Sequence, residues 1–317
     1  MGKLEEAILN GLRSFMELKS GEAALIVIDE HCRELGYKFK EAAEKLTDET
    51  MLIEMKTRLN DGASLPKVVA EAMKAADVVV GVTKMSMTHT QARHDANKAG
   101  TRVGTLPNVF PESLERCLSC DKEKLVSDTD RVTEILTKGK LAKLTTPNGT
   151  DLMIPIDGIE AISSTGVIKV GGKGANLLSG EAFLMPEEGK ANGVVVVDGT
   201  ISQVGLIHDD YVKIKIENGF AVSIDGGANA TKFKKILEPY GKDGLNIAEL
   251  GVGTNYCAKL CGSIIEDEKV GGTVHIALGN NASMGGNFTV GVHIDCVMIN
   301  PTLEIDGKVI LKDGKFA

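Results

Sequence analysis

The stretches Ala23-Ala24-Leu25-Ile26-Val27-Ile28-Asp29 and Asp77-Val78-Val79-Val80-Gly81-Val82 decide the fold of the first half of the chain. Both are unbroken apolar runs of strand length. A strand with one wet face alternates apolar and polar residues, whereas one covered on both faces does not, so these runs belong in a sheet flanked by helices. Working outward, apolar residues recur at helical spacing over Leu4 to Leu18, His31 to Leu46, Pro66 to Ala75 and Thr88 to Lys98. Two further strand-like segments, Met51 to Met55 and Thr101 to Leu106, complete an alternating series. That alternation predicts a doubly wound parallel sheet. The charged segment Asp121 to Lys138 predicts one more helix before the texture changes.

From Leu141 onward, short strand-like segments are separated by the turn pairs Asn148-Gly149, Asp157-Gly158, Asp198-Gly199, Asn218-Gly219, Asp225-Gly226 and Asp306-Gly307. Such pairs favour tight hairpins because both residue types tolerate positive φ. Tyr211 to Glu217 alternates with period two, as a half-solvated antiparallel strand does. Helices are expected at Ala230 to Glu238 and Asn255 to Ile264. The fold class is therefore α/β: residues 1–140 form a doubly wound, Rossmann-like domain, and residues 141–317 form a strand-rich α+β domain.

Composition narrows the function. A net charge of -8 with no basic run argues against a nucleic-acid partner. No stretch approaches the roughly 20 apolar residues of a membrane span, and the charged amphipathic start lacks the form of a secretory signal, so a cytoplasmic location is expected. Cys117 and Cys120 form a lone CxxC without a second pair, which is weak ground for a zinc site.

The chemistry lies in the second half. In Val292-His293-Ile294-Asp295-Cys296, two metal-competent side chains are set two residues apart in an apolar strand, and period two puts both on one face. Burying them unpaired costs several kcal/mol each on the order of transfer penalties, which a shared divalent cation relieves. A buried His-Asp hydrogen bond is the competing reading. His275 lies at the centre of a second apolar strand, Glu249 precedes a glycine-bracketed loop, and Glu181 follows Ser179-Gly180 in apolar surroundings. Each is weak alone. Together, three carboxylates and two imidazoles in uncharged settings are sufficient for a two-metal site, in which a carboxylate bridges the ions. His89 and Arg93 follow a buried strand at the start of a helix, a place where α/β sheets bind ligands, and are candidates for holding a substrate carboxylate. An exposed helix face is the alternative there.

The segments SGEAF (179–183), NIAELGVGTN (246–255), EKVGGTVHIALG (268–279) and GVHIDCVM (291–298) resemble, in this order, the metal-site motifs of the aminopeptidase T and aminopeptidase S metallopeptidases. Thr88-His89-Thr90-Gln91-Ala92-Arg93 and Gly104-Thr105-Leu106-Pro107 resemble the same family's N-terminal domain. That resemblance implies two divalent ions (zinc, cobalt or manganese) on Glu181, Glu249, His275, His293 and Asp295. Glu249 would bridge them or relay a proton as the catalytic residue. It also implies a short-peptide or small-molecule substrate and a homodimer.

Two departures bear on the activity. The family carries a tyrosine after the first histidine, where this chain has Asn280 to Gly286 and no tyrosine beyond Tyr256, and the interval from His275 to His293 is short. The scaffold is similar as well to the 2,5-dihydroxypyridine dioxygenases, which use one Fe(II), and His275, His293 and Asp295 would serve that chemistry. The expectation from sequence is a metallo-aminopeptidase. The alternatives are a mononuclear ring-cleaving dioxygenase and a non-catalytic ligand-binding relative.

Overall fold

The computed structural model describes residues 2–170 and 175–317. The chain forms two compact units, Met1–Lys122 with Thr165–Ser179 and Glu123–Ser164 with Gly180–Ala317.

In the first unit, β1 (Ala24–Asp29), β2 (Thr50–Met55), β3 (Val78–Thr83) and β4 (Arg102–Pro107) run parallel in the order β2-β1-β3-β4, and a short strand at Ala175–Asn176 adds to β4. β1 and β3, the two unbroken apolar runs, are flanked by strands on both sides, and every residue of each is buried. The helices are α1 (Lys3–Asn10), α2 (Arg33–Ala43), α3 (Lys67–Ala75), α4 (Gln91–Lys98) and α5 (Pro111–Cys117). α1 packs on α2 and α5, and α3 packs on α4, giving the two helical layers that a doubly wound sheet requires. Thr90 caps α4 by accepting the backbone N–H of Arg93 at 3.3 Å.

The second unit begins with α6 (Lys122–Lys138), whose Val132 and Leu136 enter the same core as Leu144, Leu152 and Ile214. Packing therefore sets the break at the start of α6, where texture alone set it at residue 140. An eight-stranded sheet and a seven-stranded sheet contribute to this core. Asn218-Gly219 and Asp306-Gly307 close hairpins with positive φ at both residues, as the turn pairs predict.

The helix expected at Asn255 to Ile264 is absent; only Ile264–Asp267 is helical there. Buried side chains take its backbone donors instead. Glu266 accepts from the N–H of Lys259 at 2.9 Å, Asp267 accepts from those of Cys261 at 2.7 Å and Gly262 at 2.8 Å, and Asn255 accepts from that of Cys257 at 3.0 Å. Short polar side chains that capture backbone donors compete with helix formation. No helix among the described residues is long and apolar enough to cross a membrane.

Candidate metal centre

Four adjacent strands of the seven-stranded sheet carry the centre: Glu181–Leu184, Ile247–Gly253, Val274–Gly279 and His293–Met298. Their pairing places Glu181 opposite Gly253, Gly251 opposite His275, Glu249 opposite Ala277, and Asp295 opposite Ala277 on the other side. His293 is opposite Gly279. Paired residues share a face, so all five side chains singled out in the sequence project from one side of the sheet. The intervening residues, Leu250, Val252, Ile276, Leu278, Ile294 and Cys296, fill the core on the other side.

That shared face is cleared by small residues: Gly251, Gly253, Ala277 and Gly279 occupy the positions between the polar ones. Gly251 is required by contact, because a Cβ there would stand 2.0 Å from Nε2 of His275, whose ring lies across the bare backbone.

The five residues fall into two groups joined by Glu249. Glu181, Glu249 and His275 form one, wholly buried; Glu249, His293 and Asp295 form the other, with His293 at its exposed edge. Within each group the candidate ligand atoms lie within 4.8 Å of one another. His275 Nε2 is 3.1 Å from Glu249 Oε1 and 3.6 Å from Glu181 Oε2. His293 Nε2 is 3.5 Å from Glu249 Oε2 and 3.3 Å from Asp295 Oδ1. His293 Nδ1 donates to the carbonyl of Asn280 at 2.8 Å, which leaves Nε2 facing the carboxylates. His275 Nδ1 is buried without a hydrogen-bond partner among the described residues, so its ring is held from the Nε2 side.

Two charged neighbours went unread in the sequence. Lys269, buried, donates from Nζ to Glu181 Oε1 at 2.5 Å and also to Glu268. In the sequence, Glu266-Asp267-Glu268-Lys269 looks like a solvated charge run; the signal against that reading is its position within an apolar, glycine-rich segment six residues before His275.

Electrostatics follows this geometry. Burial pushes the carboxyl of Glu181 up against the opposing pull of Lys269 and His275. It pushes Glu268 up to about 8 against the pull of Lys269. Burial alone would lower His275, but the hydrogen bond to Glu249 and the charge of Glu181 outweigh it and raise the imidazole to about 9. His293 is raised in the same way, with Asp295 outweighing burial, while Asp295 is held below the usual carboxylate range by His293. Convergent imidazoles and carboxylates holding protons among themselves are a donor set that a divalent cation fits, since metal binding displaces such protons.

The other two predicted residues are in the first unit. His89 is exposed at the turn before α4. Arg93 is buried and committed locally: Nε donates to the carbonyl of Thr88 at 2.6 Å and Nη1 to Oδ1 of Asn97 at 3.3 Å.

The profile of the NicX family, 2,5-dihydroxypyridine 5,6-dioxygenase, matches residues 14–317. The chain belongs to this family. The 2,5-dihydroxypyridine 5,6-dioxygenase of Pseudomonas putida (strain KT2440) is 25% identical over 260 residues, which cover 77% of this chain and 71% of the relative. Among solved structures, the 2,5-dihydroxypyridine dioxygenase of Pseudomonas putida KT2440 superposes with a TM-score of 0.85 at 20% identity, covering 100% of this chain and 98% of that one. AmpT of Thermus thermophilus superposes with a TM-score of 0.74 at 16% identity, covering 99% of each chain. At these identities the structural likenesses speak to the fold alone: an α/β two-unit scaffold common to both proteins. Family membership overturns the expected hydrolase. The motifs that resemble the aminopeptidases mark the common scaffold, and the NicX-family match replaces the metallo-aminopeptidase reading.

Proposed function

We propose that this chain is a ring-cleaving dioxygenase that uses one Fe(II) and acts on a dihydroxylated pyridine. The observation that carries the reading is that His275, His293 and Asp295, two imidazoles and a carboxylate, project from neighbouring strands on one sheet face, the combination that non-haem Fe(II) oxygenases employ, with Glu249 grouped with each side. Membership of the NicX family and the named substrate of the Pseudomonas putida relative support it.

His275, His293 and Asp295 would hold the ion. When bound, Fe(II) supplies the redox chemistry by which dioxygen reacts with an electron-rich ring. The chain's own residues do the rest. Asn280 fixes the His293 ring through Nδ1, and an outer partner of this kind holds a ligand in orientation. Gly251 gives His275 room to lie flat against the sheet. Glu249, with one oxygen toward each imidazole, is the carboxylate placed to take or return a substrate hydroxyl proton.

The test is oxygen uptake and loss of ring absorbance with 2,5-dihydroxypyridine, using protein reconstituted anaerobically with Fe(II). Stoichiometric uptake, one O2 per ring opened, is the expected result. Iron-loaded protein that binds the ring and consumes no oxygen would remove the reading.

A further inference from the structure

We infer that Lys269 keeps the Glu181 side of the centre closed to a second divalent cation, and thereby makes the centre mononuclear. The inference rests on the metal-dependent reading above and concerns how many ions the five converging side chains accept. Their number and type would serve a pair of ions bridged by Glu249. What distinguishes the Glu181 side is that a positive charge is already built into it. The ammonium of Lys269 lies 2.5 Å from Glu181 Oε1 and is bonded to Glu268 as well, with the Lys269 side chain only 2% exposed. The other oxygen of Glu181 faces His275 at 3.6 Å. The carboxylate that a second ion would need is therefore shared between an ammonium and an imidazole.

The ammonium cannot easily leave. The Lys269 backbone N–H donates to the carbonyl of Glu266 at 2.9 Å, and its carbonyl accepts from Asn255 at 2.9 Å, while Asp267 beside it is tied to the loop that precedes it. Swinging Nζ away would take from the buried Glu181 and Glu268 the partner they share and leave the ammonium itself buried and unpaired, which is strongly unfavourable. A cation entering beside Glu181 would stand against this fixed charge where no solvent screens the repulsion. Removal of the lysine charge has the opposite effect. It frees Glu181, which groups with Glu249 and His275 in an oxygen and nitrogen donor set suited to a first-row divalent ion.

The experiment loads wild type, Lys269→Met and Glu181→Gln with Mn(II) under nitrogen, then counts metal per chain by elemental analysis and records the electron paramagnetic resonance spectrum. Expected are one ion per wild-type chain with an isolated-ion spectrum, and two per Lys269→Met chain with an exchange-coupled one. Two ions in wild type, or one in a folded Lys269→Met protein with an unchanged spectrum, overturns the inference. Should Lys269→Met fail to fold, Glu181→Gln decides: with Glu181 engaged by Lys269, the variant keeps its single ion with affinity within about twofold of wild type, and loss of the ion overturns the inference. Ring opening by the iron-loaded wild type is scored separately. Its absence removes the dioxygenase reading and leaves the count of ions standing, whereas ring opening with an uncoupled, single-ion Lys269→Met protein removes only the inference.

Discussion

The Glu181 side and the His293 side of the centre are drawn from the same residue types, meet at one carboxylate, and differ in what balances their charge. On the Glu181 side every group is buried, and a buried lysine supplies the counter-charge through Glu181 and Glu268. On the His293 side, Asp295 has an imidazole as its partner, and that imidazole reaches the exposed edge of the sheet. A fixed ammonium stays where it is, but an imidazole proton can be displaced by a metal ion. Ligand type therefore does not by itself say where a cation goes; the neighbouring charge does.

The largest effect expected from this comparison falls on the His293 side. His293→Ala removes a ligand and leaves Asp295 without the group that holds its carboxyl ionised. Losing even an outer partner of a metal ligand costs about 10–100-fold in affinity, so His293→Ala should weaken Fe(II) or Mn(II) binding by more than about 100-fold, read by titration under nitrogen. Retention of near-wild-type affinity would move the ion to the Glu181 side and reverse the comparison.

A second, smaller effect concerns pH in chelator-treated protein. The folded-state value of His275, about 9, lies above its ordinary 6.5 because Glu249 and Glu181 outweigh burial. A group raised on folding stabilises below its unfolded value and loses that contribution as pH rises through the folded one. Between pH 6.5 and about 9 the stripped protein should thus lose on the order of a few kcal/mol of stability, seen as a falling thermal midpoint. His293, raised in the same direction, adds to the slope. Metal-loaded protein, whose ligand imidazoles are neutral throughout, should be flatter. A stripped protein with no slope would show that the imidazoles are not held charged.

The parallel sheet was legible because fully buried strands write themselves as unbroken runs such as Val78-Val79-Val80, and only helices can cover both of their faces. His293 and Asp295 were legible because His and Asp at period two in an apolar strand need a partner, whereas His275, Glu249 and Glu181 were each weak alone and gained weight only taken together. What was not legible depended on contacts distant in sequence. Glu266 and Asp267 lie beyond the helix expected at Asn255 to Ile264 and drew no reading, yet they capture the N–H groups of Lys259, Cys261 and Gly262 and so prevent that helix. Lys269 had no role in the sequence reading, because Glu181, which the sheet brings to it, lies 88 positions away. The choice between peptide hydrolysis and ring opening was not legible in the ligand residues at all, because one donor set serves both; family membership made it.

Gly251→Ala gives the finest test of the division between the two sides, because the three atoms nearest to a Cβ at Gly251 all belong to His275, the residue that belongs by contact to the Glu181 side and by proposed ligation to the ion. The new methyl would stand 2.0 Å from Nε2 and 2.2 Å from Cε1 of the ring, so the imidazole must tilt off the sheet. Overpacking of this kind costs about 1–3 kcal/mol in stability. If His275 is a ligand, Gly251→Ala should lower metal affinity well beyond what the change in thermal midpoint accounts for, and Gly251→Ala combined with His275→Ala should bind no more weakly than His275→Ala alone. Should Gly251→Ala lose stability with metal affinity intact, His275 serves the ion only through Glu249, and the iron belongs wholly to Glu249, His293 and Asp295.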